Sequence, residues 1–290
     1  MFESLINIKK AERKPWELFF IGLLYASLSI LIVDLLFLKD TVFKNYSSIL
    51  IITFTVIFCI PFFYYLIKLE EEKDVKMKKG TSLLKEHSKA LSALTFLFLG
   101  LLCAFVIFYI FLPQEVTAQN FAAQMNAYCN INYPNDVENC INNAGLVQPG
   151  SASISLKGNE LEKIFVIFTN NFFVLVFVLI FSLMFGAGSI FILAWNASVI
   201  AVAIGIFTRG NLLYLSSGFL RYLIHGIPEI AAYFIAALAG GILSVAVIRH
   251  NFKDKEFWKV VKDSINMFLI SIIVLVAAAL IEVLIIPLLF

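Results

Sequence analysis

The sequence predicts an all-α fold, a bundle of about seven membrane-spanning helices, on two observations. The first is composition, since 61% of the 290 residues are hydrophobic and 14% are charged, whereas soluble domains carry roughly 25% charged residues. The second is pattern, because the apolar residues fall into seven runs of about 20 residues, the length that crosses a bilayer. We therefore expect a multi-pass protein of the cell membrane. The net charge of +2 gives no indication of a nucleic-acid partner.

The seven apolar runs define the predicted spans. They cover residues 17–38, 47–68, 91–112, 164–185, 188–207, 230–248 and 264–287. The fourth and fifth form one apolar stretch that is interrupted only at residues 185–189, where glycines flank a small residue and permit a tight turn. We expect a two-helix hairpin there, and a bent helix with a re-entrant segment is the alternative.

The distribution of Lys and Arg indicates the orientation of the bundle, because cytoplasmic links are enriched in them. With seven spans, the N-terminal segment and the links after the second and sixth spans lie on one side and contain 16 of the 22 basic residues. We expect these segments, including the N-terminus, to be cytoplasmic. The mixed charges of residues 70–89 predict a solvated helix, with contact to anionic lipid as the alternative.

Three regions follow from this arrangement. They are an N-terminal three-span region (1–112), an extracytoplasmic loop or cap (113–163) and a four-span core (164–290). Cys129 and Cys140 lie in the cap with ten residues between them, so we expect a disulfide, with two free thiols as the alternative. Closing a loop of this size stabilises the folded state by about 3 kcal/mol.

Arg221, His225 and Glu229 make the start of the sixth span the most informative segment of the chain. They are spaced by four and would share one face of an unbroken helix. Pro228 disfavours a helical conformation at the residue before it. We therefore expect a short interfacial or re-entrant helix over 214–225 and then a kink into the sixth span.

We expect a polar cluster near the outer leaflet, because ionisable groups near hydrocarbon are usually paired or lie beside water. A carboxylate in it would bind the guanidinium of Arg221 in bidentate geometry. The residues that share this depth in the predicted topology are Arg221, His225, Glu229, Asp34, Glu282, Asn170 and Asn171. Three roles are open for them: a solute or ion site, a docking point for another membrane protein, or a pairing that only fixes the bundle.

Catalytic and metal sites are poorly supported. His87 and His250 belong to cytoplasmic links, so His225 and Glu229 alone do not supply the ligands of a membrane metal site. Ser189 follows a glycine, but the glycine that rhomboid proteases carry after their serine is missing here, and the predicted topology separates Ser189 from His225 by most of a bilayer. We expect no catalytic residue, no metal and no cofactor.

The segment His-Gly-Ile-Pro-Glu at 225–229 carries a resemblance to a known family. With the small-residue span after it, the Asn170-Asn171 pair and the turn at 185–188, it resembles the integral membrane family named for stage II sporulation protein M. The motif residues are His225, Gly226, Pro228 and Glu229. The resemblance covers roughly residues 160–290 and implies a polytopic, non-enzymatic membrane protein. The family's namesake works with peptidoglycan-degrading partners during engulfment, whereas many relatives occur in organisms that never sporulate.

We expect a scaffold or subunit that assembles in the bilayer with other membrane proteins or with further copies of itself. A channel or transporter subunit for a small solute or ion is the second hypothesis, and an intramembrane hydrolase is the third. The sequence identifies no ligand. Small residues at 236–241 permit close helix packing, either within the chain or between two copies.

Overall fold

The computed structural model describes residues 14–77, 82–133, 136–142, 159–209, 212–250 and 252–289. This part of the chain is almost entirely helical and contains no strand. Seven of its helices are long and apolar enough to cross a membrane, which confirms the predicted all-α class and the number of spans. They are α1 (Glu17–Leu36), α2 (Ser47–Lys76), α3 (Ser88–Phe111), α4 (Glu160–Phe185), α5 (Ser189–Arg209), α6 (Leu215–Arg249) and α7 (Lys255–Leu280).

Shorter helical segments join or extend these seven. They are Phe43–Tyr46, Leu83–Glu86, Gln114–Asn120, Ala122–Asn132, Val137–Asn142, Leu212–Tyr214, the π-helical turn Ile281–Ile285 and the last turn Ile286–Leu289. The apolar runs form helices because a backbone in lipid has no water to bond and must satisfy its own N–H and C=O groups.

Most of the spanning helices are longer than their predicted spans, and the extensions of α2 and α6 bear on the candidate sites. α2 has 30 residues and ends at Lys76 rather than at residue 68. α6 has 35 residues and begins at Leu215, so the helix predicted over 214–225 is continuous with the sixth span instead of separate. Pro228 lies inside α6. A proline removes only one backbone donor, and a helix that is packed along most of its length continues past it.

The turn between α4 and α5 separates two full helices, as the hairpin interpretation expects. α4 ends at Phe185, Gly186 has a φ of +61°, and α5 begins at Ser189. Glycine adopts this left-handed conformation without the steric cost that a Cβ atom adds.

α6 lies at the centre of the bundle. Within its most apolar stretch 78% of the residues are buried, the highest share among the seven helices. The small residues at 236–241 account for this packing. A Cβ atom at Gly240 would lie 2.7 Å from the carbonyl oxygen of Leu179 in α4, and one at Gly241 would lie 2.6 Å from the side chain of Ile67 in α2. The run is thus used for close packing within the chain.

Cys129 and Cys140 form the expected disulfide. It links two short helices, of which Ala122–Asn132 packs against the bundle, since the side chain of Gln124 donates to the carbonyl oxygen of Ser48 at 3.5 Å. After the third span the chain is thus helical again over Gln114–Asn120 and Ala122–Asn132.

The two ends of the bundle differ in chemistry. The disulfide end holds the Cys129–Cys140 bond. The basic end is the one at which α2 and α6 finish and α7 begins, at Lys76, Arg249 and Lys255.

Candidate functional site

The structure brings two of the predicted acids together near the disulfide end. The carboxylate of Glu229 in α6 accepts a hydrogen bond from the Tyr233 hydroxyl at 2.8 Å. Glu282 interacts electrostatically with Glu229 and lies in the π-helical turn Ile281–Ile285. Single π-helical turns are rare and are frequent at functional sites. Two carboxylates from different helices are therefore close enough to interact within spanning segments.

The other predicted members have different surroundings. Asp34 accepts a hydrogen bond from the side chain of Asn120 at 2.7 Å. Asn120 comes from the link after α3 and was not among the candidates, because nothing in the local sequence pairs it with residue 34. The side chains of Arg221 and His225 lie outside the described part of the structure, so the bidentate pairing expected for Arg221 stays a prediction.

Asn170 and Asn171 lie in α4, the least covered spanning helix. Only 11% of its most apolar stretch is buried, against 28% to 78% for the other six. Its buried residues, Leu175, Val178 and Ser182, all fall in its second half. The outer face of α4 consists of the exposed residues Val166, Asn170, Phe173, Phe177, Ile180 and Met184. Asn170 is thus an amide on an otherwise apolar surface, and its Nδ2 donates a long hydrogen bond of 3.5 Å to Oδ1 of Asn171.

Ser189 has a structural environment. It is fully buried, and its hydroxyl lies 3.5 Å from that of Ser182. Ser182 donates to the carbonyl oxygen of Ala237 at 2.5 Å. These hydroxyls hold the α4–α5 turn against α6.

A second polar cluster lies at the basic end, and the sequence analysis did not predict it. Glu70, Glu71 and Asp74 in the last turns of α2 are at most 1% exposed, although a solvated helix was expected there. The expectation was wrong for these residues because basic groups from the links after α2 and α6 cover them, His87 beside Glu70 and Asp74 and Arg249 with His250 at Glu71. The one local signal was the occurrence of two histidines, His87 and His250, in the links that meet there.

Glu70 is held by two neighbours. It accepts a hydrogen bond from Lys73 at 2.6 Å and binds Nδ1 of His87 at 2.6 Å. His87 is fully buried, just before α3, and its Nε2 lies 3.9 Å from Oδ1 of Asp74. Burial alone would lower the pKa of His87, but the carboxylates of Asp74 and Glu70 outweigh it and raise the pKa from 6.5 to about 9. The surroundings of this imidazole therefore favour a positive charge.

Glu71 connects α2 to the end of α6. Its carboxylate accepts a hydrogen bond from Arg249 at 2.8 Å and binds Nε2 of His250 at 2.6 Å. Arg249 also reaches the more exposed Glu72 at 3.2 Å. This is an ion-pair network with its central carboxylate buried and its guanidinium partly in solvent.

Lys259 of α7 binds the end of α2 in another way. Its ammonium donates to the backbone carbonyl oxygens of Asp74, Val75 and Met77 at 2.5, 3.1 and 2.7 Å. The last carbonyls of a helix have no intrahelical partner, and a cation at this end also interacts favourably with the helix dipole. Lys259 therefore caps α2 and fixes where it ends.

Three residues beside this network could hold a metal by spacing alone. Candidate ligand atoms of His250, Asp254 and Glu256 lie within 4.8 Å of one another. Nε2 of His250 is already bound by Glu71, and the two acids belong to the N-terminus of α7, where acids are common.

Seven helices that are long and apolar enough to cross a membrane define a polytopic integral membrane protein. Residues 90–287 match the family model described as Stage II sporulation protein M. The chain belongs to this family. The match begins at α3 and so extends further than the resemblance at 160–290 that the sequence motif carried. No matching curated protein and no matching solved structure was found.

Proposed function

We propose that this protein is a non-enzymatic membrane subunit that assembles with a partner through α4. The observation that carries this proposal is the amide of Asn170 on the outer face of α4. Asn170 is seven residues past Lys163, hence about 10 Å further along the helix axis. That depth lies within the hydrocarbon, where lipid tails offer no hydrogen bond.

An amide in this position favours contact with another helix. The bond to Asn171 uses one N–H of the amide and leaves its oxygen without a partner among the described residues. An unsatisfied polar group in lipid costs several kcal/mol, and asparagine side chains stabilise pairs of transmembrane helices by bonding across them. The apolar residues Phe173 and Phe177 continue the same face and would pack against the partner helix. Family membership supports an assembling role, because the namesake of the family works with partner proteins.

Replacing Asn170 by leucine is expected to weaken assembly by about 3- to 30-fold, the range that interhelical hydrogen bonds of about 0.6 to 2 kcal/mol produce. The measurement is the size of the complex after mild detergent extraction from the native membrane, determined by blue native electrophoresis. Energy transfer between labelled copies in vesicles is measured in parallel. Energy transfer is expected only if the partner is a second copy of the chain, so this measurement distinguishes self-assembly from binding of a different partner.

The matched control is Asn196→Leu, the same change in α5. The amide of Asn196 bonds the carbonyl oxygen of Ile192 within its own helix at 2.8 Å, so this variant should assemble like the wild type. A wild-type chain that is monomeric in its native membrane, or equal loss in both variants, would contradict a role for α4 in assembly.

In this arrangement the basic end of the bundle faces the cytoplasm. The enrichment of Lys and Arg in the links at that end supports this orientation. It places the disulfide on the opposite, oxidising side, where such bonds persist.

A second candidate function is a subunit for movement of a proton or small cation. It is favoured by Glu229 and Glu282, two carboxylates that interact within the spanning region. Carboxylates within spanning segments are rare and often mark ion or proton pathways. Two such groups side by side also repel, and a shared proton or a bound cation relieves the repulsion.

For this candidate, Glu229→Gln is expected to lower proton or cation flux into vesicles at least tenfold, because the amide cannot carry the charge that offsets a cation. The flux is followed with a pH-sensitive or cation-sensitive dye. Glu160→Gln, an exposed acid in the first turn of α4, should leave the flux unchanged. Wild-type vesicles no leakier than empty ones would exclude this function.

A further inference from the structure

The first turns of α7 carry an exposed basic and aromatic face that continues an exposed apolar face of the same helix. The apolar face consists of residues spaced by three or four, which are Ile265, Leu269, Ile273 and Val276. Lys255, Trp258 and Lys262 are exposed too and precede this face with the same spacing. Residues spaced in this way lie on one side of a helix. The three side chains therefore extend a surface that acyl chains cover in a membrane.

The change from apolar to basic residues falls where the hydrocarbon is expected to end. The chain is helical from Ile265 to Pro287 and measures about 33 Å over this stretch, enough to cross a hydrocarbon core of about 30 Å. Lys262 then lies about 5 Å beyond the hydrocarbon and Trp258 about 10 Å beyond it. These depths correspond to the lipid headgroups and to their border with water.

Trp258 is fixed in place although it is 61% exposed. Its indole N–H donates to the carbonyl oxygen of Phe252 at 2.9 Å. The ring of Phe257 lies 5.6 Å from that of Trp258 and 5.0 Å from that of Phe252, and Phe252 is itself exposed. Exposed aromatic side chains are typical of the membrane–water interface. A ring that is already fixed loses little conformational entropy when a ligand packs on it.

The two lysines of this face do not serve the packing of the bundle. Neither Lys255 nor Lys262 forms a hydrogen bond or a close ion pair with a described residue, whereas Lys259 donates to three backbone carbonyls. The nearest acids in sequence, Glu256 and Asp263, each follow one of the two lysines by one position and so lie about 100° further round the helix. Asp263 interacts with Lys262 only through its charge. The face itself is thus positively charged.

We propose that Lys262, Trp258 and Lys255 bind the headgroup of an anionic phospholipid whose acyl chains lie along Ile265 and Leu269. Lys262 lies at the depth of the phosphate, and its stem can follow apolar surface while its ammonium reaches the anion. Lys255 lies one to two turns further from the hydrocarbon and attracts the same negative charge from the surface.

Charge complementarity and the continuous apolar face favour a lipid over other occupants. The face is cationic at one end and apolar at the other, and an anionic phospholipid has the matching charge and apolar parts in the same order. An acidic soluble protein would match the lysines alone and leave Ile265 and Leu269 to the bilayer. The proposal does not depend on assembly through α4.

The test is native mass spectrometry of the purified full-length protein in detergent, titrated separately with phosphatidylglycerol and phosphatidylcholine of equal chain length. The wild type should bind phosphatidylglycerol at least tenfold more tightly than phosphatidylcholine. Lys262→Gln should weaken phosphatidylglycerol binding about fivefold, the contribution of one lysine at a membrane surface. Lys255→Gln combined with Lys262→Gln should weaken it by about 5- to 30-fold and should leave phosphatidylcholine binding unchanged.

Two further pairs of substitutions serve as controls. Arginine at both positions, Lys255→Arg with Lys262→Arg, should bind phosphatidylglycerol within twofold of the wild type, because a guanidinium also binds phosphate. Lys76→Gln with Lys85→Gln removes the same charge from exposed positions at the basic end but away from α7, and it should also stay within twofold.

Three results would overturn the assignment. They are a wild type that does not prefer phosphatidylglycerol, a Lys255/Lys262 glutamine pair that binds it like the wild type, and equal weakening by the Lys76/Lys85 pair, which would show a diffuse effect of charge. The altered side chains are exposed, so the thermal midpoint without added lipid should match the wild type. If the glutamine pair does not fold, Lys262→Gln alone decides.

Discussion

Replacing Gly100 by alanine is expected to separate α1 from α3 and to destabilise the protein by about 3 kcal/mol or more. A Cβ atom at Gly100 would overlap the carbonyl oxygen of Phe19 and lie 2.9 Å from the backbone nitrogen of Leu23. Gly22 faces α3 in the same way, with the backbone of Leu97 as its neighbour. Because the opposing atoms belong to backbone, no side-chain rotation relieves the clash.

The measurement is the thermal midpoint in detergent, and we expect a decrease on the order of 10 °C. Gly226→Ala is the matched control, since Gly226 also lies in a helix but a Cβ atom there has no neighbour within 4 Å. It should be neutral or slightly stabilising, because alanine forms helices better than glycine. Equal midpoints for the two variants would show that the glycine contact does not hold α1.

Replacing Glu71 by alanine is expected to cost about 3 kcal/mol, the lower end of the range for breaking a buried ion pair. The carboxylate is almost fully buried and is shared by Arg249 and His250. Arg249 is 33% exposed and keeps Glu72 as a second partner, so solvent screening moderates the effect. The change should also loosen the end of α2 from the link that joins α6 to α7.

A double-mutant cycle with Arg249→Ala measures how much of this loss is direct coupling. Glu72→Ala is the control, because Glu72 bonds the same guanidinium from a site that is 42% exposed. We expect it to cost under about 1 kcal/mol. If Glu71→Ala and Glu72→Ala have the same free energy of unfolding, the burial of Glu71 contributes nothing to stability.

The sequence was sufficient for features that depend on local composition. Seven apolar runs became seven helices, the glycines at 186 and 188 allowed the turn between α4 and α5, and the two cysteines of the link after α3 formed a disulfide. Each of these follows from a property of a short segment: its hydropathy, its backbone freedom or its redox chemistry.

Polar pairing could not be predicted in the same way. Asp34 binds Asn120 across 86 positions, and Glu71 binds Arg249 across 178. A charged run such as residues 70–76 looks solvated in sequence, because its hydropathy does not reveal that its counter-charges lie in another link. Only the helix arrangement brings such groups to one place. The second polar cluster, at the basic end, was therefore not predicted, although each of its residues is present in the sequence.

The bond between Glu71 and Arg249 also limits the order in which the contacts of the bundle can form while the chain is being synthesised. Glu71 leaves the ribosome 178 residues before Arg249, and Lys259 is made later still. Until the last two helices have been made, Glu71 lacks both of its basic partners, Arg249 and His250, and the end of α2 lacks the cap that Lys259 provides. This junction of α2, α6 and α7 can therefore close only after nearly the whole chain has been translated, and a product that ends before Arg249 leaves the carboxylate of Glu71 without these partners.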